Sequence, residues 1–154
     1  MSHFITEVGF LSGIDVTTRE MQRAYKSHRN AYCCLKEQDI ADKNPSKGII
    51  LFYAVETGLK LVWLKRRMAR DTSCWDARYK THNINFYLKE LRAGRSLLLS
   101  STIHLENRRE SSKIEQEIPI GDLNQAMRYG VKISLEHETI LQLEKIVSWI
   151  EEER

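Results

Sequence analysis

The run from Ile49 to Leu64 constrains this chain more than any other feature. Ile49, Ile50, Leu51, Phe52, Ala54, Val55, Leu59, Leu61, Val62, Trp63 and Leu64 cover nearly all faces of a helix. A helix that is apolar nearly all round belongs at the centre of a fold. It is not a membrane span, because Glu56 and Lys60 break it and it falls short of the ~20 apolar residues a span needs. Glu56 precedes Lys60 at i,i+4, the favourable order for a local ion pair. If the two face the interior, each needs a partner, because an unpaired buried charge is costly. His82 and Arg128 are the candidate partners, with Tyr129 beside Arg128, in a polar network that can fix packing register.

Other helices are expected around this one. Thr17-Thr18-Arg19-Glu20 reads as a capping box, followed by a stripe of Met21, Ala24, Tyr25, His28, Ala31, Tyr32 and Leu35. Asn44-Pro45-Ser46 ends that segment, and the central helix is expected from about 46 to 70. After a polar joint, Thr81 is expected to cap a helix carrying Ile84, Tyr87, Leu88 and Leu91, closed by Gly94. Residues 96–104 favour helix, though the run is short enough for a strand. Asp122 is expected to cap a short turn that Gly130 ends. A last helix from Ser134 would bury Leu135, Ile140, Leu143, Ile146, Val147 and Ile150. The terminal acids, Glu151 to Glu153, stand at the wrong end for the helix dipole, so fraying is expected there. The pattern predicts one domain over 1–154: an all-α, up-and-down bundle of four to five helices. Residues 1–16 would be an arm and 106–117 an exposed loop.

Charge and cysteine content narrow the function classes. With 24 basic and 21 acidic residues the net charge is +3, too balanced to announce nucleic acid. Lys60, Lys65, Arg66, Arg67 and Arg70 form a basic run with no acid between them. It is a candidate phosphate contact or a cationic helix C-terminus. The first residues lack a secretory pattern. Cys33, Cys34 and Cys74 are odd in number and without metal-ligand spacing. They read as buried or half-buried residues of a protein in the cytoplasm, with no metal or cofactor expected. No Gly-rich phosphate loop, Ser-His-Asp set or glycosidase carboxylate pair can be argued.

Several pieces together resemble a known family. Tyr53-Ala54-Val55-Glu56-Thr57-Gly58-Leu59-Lys60 lies on the central helix. Thr81-His82-Asn83-Ile84 begins a later one. Arg128-Tyr129-Gly130 and a final helix ending in Trp149-Ile150 follow. In this order they resemble the HEPN domain over roughly residues 20–150. The resemblance implies a helical bundle, commonly dimeric, of toxin–antitoxin and antiviral defence systems. Many members are metal-independent endoribonucleases with an arginine, four to six residues, then a histidine. The arginine steadies transition-state charge and the histidine handles protons.

Arg78 and His82 are the candidate catalytic pair, but only three residues separate them. Arg23 and His28 have the family spacing on the wrong helix, and His137 lies too far beyond Arg128. Three readings stay open. The first is a HEPN-like binding or oligomerisation module of a defence or stress system. It would associate as a homodimer or with a partner protein, a nucleotide or RNA, without a standard ribonuclease centre. The second is an endoribonuclease using Arg78 and His82. The third is a structural or antitoxin-like subunit. Tyr25 and Tyr32 support a dimer if one bundle leaves them incompletely buried.

Overall fold

The computed structural model describes residues 13–38, 46–106 and 116–154. Most of the arm at 1–16 and of the loop at 106–117, and the Asn44-Pro45 stop, lie outside them. Five α-helices and one two-stranded sheet are described: α1 Thr18–Glu37, α2 Ser46–Arg66, α3 Ile84–Glu90, β1 Thr102–Leu105, β2 Gln116–Pro119, α4 Leu123–Arg128 and α5 Glu136–Glu153. The architecture is broadly helical, with α1, α3, α4 and α5 all packed on α2.

The centre is α2 because its side chains allow nothing else. Leu51, Phe52, Val55, Leu59, Leu61, Val62 and Leu64 are all fully buried. Gly58 lets α1 and α5 approach closely. A Cβ there would lie 2.7 Å from Ile150 Cδ1 and 2.8 Å from Tyr25 Cε2. The capping box of α1 forms: Thr17 Oγ1 accepts from Glu20 N, and Glu20 Oε2 accepts from Thr17 N at 2.8 Å. Beyond α2, the chain returns along the start of α1. Thr18 N donates to Arg70 O and Thr72 N to Val16 O, each at 3.0 Å.

The acidic end of α5 is helical to Glu153 and held by side-chain partners. Glu151 accepts from Tyr25 OH and pairs with Arg29 and Arg154, while Glu153 pairs with Arg66. One turn pair earlier, Glu144 accepts from Tyr32 OH and Lys36 Nζ. These carboxylates clasp α5 to α1 and α2, so cross-helix pairing outweighs the weak dipole term. The same clasps bury Tyr25 and Tyr32 within one chain, which removes the reason for reading them as dimer contacts. Among the described residues, no helix is long and apolar enough to cross a membrane.

Several local expectations need correction. Residues 96–104 are not a helix: a short turn at Arg95–Leu97 leads into β1, whose Ile103 pairs with Ile118 of β2. Asn85 explains the extended path, since its side-chain amide exchanges two hydrogen bonds with the Leu99 backbone, at 2.7 and 2.9 Å. Asn83, not Thr81, caps α3, and Arg92 in a left-handed conformation closes it before Gly94. Asp122 makes no side-chain cap. The last helix starts at Glu136, and Leu135 is left-handed and exposed. All three cysteines are free and exposed, where a buried or half-buried position was expected.

The tyrosine clasps predict an alkaline limit. Burial pushes Tyr25, Tyr32 and Tyr87 above the ordinary phenol value of about 10. Glu151 and Glu144 add to the shift at Tyr25 and Tyr32, and the Glu56 charge adds at Tyr87. The folded chain therefore holds these protons longer than the unfolded chain. This contribution is fully present below pH ~10 and is lost as pH rises towards the folded-state values. Urea midpoints are expected to fall above pH ~10, with a shallower fall in Tyr25→Phe. An unchanged slope in that variant would remove Tyr25 from the account.

Candidate functional site

On α2, one narrow stripe stays partly open to its surroundings, and Tyr53, Thr57 and Lys60 lie on it beside buried Glu56. The stripe follows from helical spacing: these positions recur at i, i+3, i+4 and i+7. Glu56 is the organising group. Its Oε1 takes Lys60 Nζ at 2.6 Å and His82 Nδ1 at 2.9 Å. The side chains of Glu56, Lys60 and His82 are 7%, 16% and 54% exposed, so the set grades from core to surface. With Glu56 ionised, the His82 Nδ1–H donates to it, which leaves Nε2 for a ligand.

The joint between α2 and α3 builds the other side. Asp71 accepts from Ser73 N and Asp76 from Arg78 N, and each bend starts a short 3-10 turn. These turns carry Trp75 and Tyr79 onto Trp63, with ring centroids 5.8 and 4.8 Å from it. The Lys60 ammonium lies 5.8 Å from the Trp75 ring centre and 5.7 Å from that of Tyr87. The Nε1–H groups of Trp63 and Trp75 are buried without a hydrogen-bond partner among the described residues. Between this joint, the 13–16 segment and α2 lies a cleft of about 460 Å³, lined by Lys60, Trp75, Tyr79, Lys80 and His82 among others.

Arg78 is not brought to His82. Its guanidinium grips Asp76 through Nε and Nη2, stands over the Tyr79 ring, and is exposed. That pairing holds the Asp76 carboxyl below its usual range. Arg128 does not reach Glu56 either. It donates to Tyr53 OH at 3.0 Å, beside an exposed Tyr129. The Tyr53 ring also meets His28, at 5.6 Å between centroids. Burial lowers the His28 pKa, and the Glu56 charge opposes that shift.

The basic run divides. Arg66 donates to Leu91 O and Glu153 and stands over Trp149, and Arg67 stands 4.5 Å over Trp63. These contacts commit Arg66 and Arg67 to the fold, although both are exposed, as Lys65 and Arg70 are. Sequence reasoning missed Asp15, Trp75, Tyr79 and Lys80, which line the cleft together with Lys60. The only available signal was the interleaving of aromatic and basic residues between Trp75 and His82. A comparison of the chain with protein-family models, curated proteins and solved structures returned no match.

Proposed function

We propose that this chain is a HEPN-like helical binding module that holds a nucleotide or RNA without cleaving it. The observation that carries this reading is the Lys60–Glu56–His82 set opening on the cleft. A cation and a histidine sharing one carboxylate oxygen, beside aromatic rings, suit phosphate and base recognition. Lys65, Arg70 and Lys80 are the further exposed cations that would meet the polyanion. The role in a defence or stress system, and the pairing with a second copy or a partner protein, rest on the family resemblance. Three free, exposed cysteines support a reducing, cytoplasmic setting.

One observation favours the endoribonuclease reading: Glu56 orients His82 as a carboxylate orients a histidine base. Against it, the proposed charge-stabilising partner, Arg78, is spent on Asp76. Incubation of the purified protein with labelled single-stranded RNA and tRNA in EDTA separates the two. Retarded but intact RNA is expected, with retardation weakening as salt rises. Cleavage that His82→Ala abolishes in a folded protein would replace this reading with the nuclease. Neither binding nor cleavage would leave the structural or antitoxin-like subunit.

A further inference from the structure

We propose that the cleft between the 13–16 segment, Lys60 and the joint at 72–82 is a binding site for a small organic anion built on one flat ring system. An aryl carboxylate or aryl phosphate is the chemical class. The volume, about 460 Å³, is that of a small-molecule site and too small for a folded partner. Its lining is divided in the way such ligands need. Val16, Met21, Trp75 and Tyr79 give apolar and aromatic walls for a ring. Lys80, Thr81 and His82 follow one another along the rim, with Lys60 on the α2 side; Lys60, Lys80 and Thr81 can donate to an acid group, and His82 donates from Nε2 when its ring carries both protons.

The donors exceed the acceptors available to them. Glu56 meets Lys60 and His82 through the single oxygen Oε1. Lys60 therefore keeps further N–H groups, and a His82 ring carrying both protons keeps its Nε2–H. Asp15 is the one carboxylate among the described lining residues. It favours a ring that bears an N–H or O–H donor and disfavours a second negative charge near it. Charge-assisted hydrogen bonds from Lys80 and from the doubly protonated His82 ring would orient the acid group while the aryl ring stacks on the aromatic wall.

Calorimetric titration of the full chain tests this with four probes: 1-naphthoate, 1-naphthyl phosphate, the neutral 1-naphthalenemethanol and inorganic phosphate. At least one aryl acid is expected to bind about tenfold or more tightly than the neutral alcohol and than phosphate, the effect of a charge-assisted bond. The tighter acid identifies the preferred group. Lys80→Ala, an exposed change, is expected to weaken that binding about tenfold, with His82→Gln additive to it. Absence of saturation by both acids, equal affinity for the alcohol, or undiminished binding by the double variant would overturn the proposal. The cleft stands on its own geometry. RNA binding without aryl-acid binding defeats only this inference, and the converse defeats only the RNA reading.

Discussion

Glu56→Ala is expected to destabilise the protein by about 3–5 kcal/mol, the cost of leaving a buried charge without its partner. Lys60 is only 16% exposed, and its ammonium has Glu56 Oε1 at 2.6 Å as its carboxylate partner. The aromatic rings of Trp75 and Tyr87 near it do not replace a counter-ion. Replacing both residues, as Glu56→Met with Lys60→Met, removes the charge together with its partner. That double variant is expected to recover most of the loss, because buried pairs exchanged for apolar groups of similar volume are often neutral. Urea unfolding of wild type, Glu56→Met, Lys60→Met and the double variant gives the coupling energy. A Glu56→Ala cost below about 1 kcal/mol, the scale of an exposed pair, would show the pair to be solvated.

Gly58→Val is expected to cost about 3 kcal/mol or more, the upper range for overpacking a core. The new atoms would meet Ile150 Cδ1 and the Tyr25 ring inside 3.0 Å. Ile150 and Tyr25 are both fully buried, and the Tyr25 hydroxyl is also held by Glu151. Gly58→Ala meets the same atoms with one methyl group and gains about 1 kcal/mol of helix propensity, so its net loss is smaller. Thermal unfolding distinguishes the two. Equal stability of wild type and Gly58→Val would mean that α1, α2 and α5 are not in close contact at this point.

The helical elements were legible where the cause is local. The α1 capping box needs only Thr17 and Glu20, three residues apart, and it forms. The central place of α2 follows from its own side chains, and the structure buries them. Expectations failed where a distant residue decides. Asn85 holds Leu99 extended, and Tyr25 and Arg29 anchor Glu151, and neither pairing leaves a trace in the local period. Thr81 is a capping residue type, and so is Asn83. Asn83 competes at the actual start, and the Thr81 hydroxyl instead accepts from Asn83 N. At the candidate site, Glu56 and Lys60 were visible as charges on an apolar helix. The cleft was not, because it is assembled from the 13–16 segment, α1, α2 and the joint.

The central claim is that the Lys60–Glu56–His82 set serves binding rather than holding the helices together. The direct measurement is the affinity of labelled single-stranded RNA, in EDTA and at fixed low salt, for wild type and for the Glu56→Met/Lys60→Met double variant. Circular dichroism and urea unfolding must first show the two equally folded. Wild type is expected to bind with an affinity that falls with rising salt, and the double variant to lose about tenfold or more. Equal affinity of the two proteins would contradict the claim and return the set to a structural role.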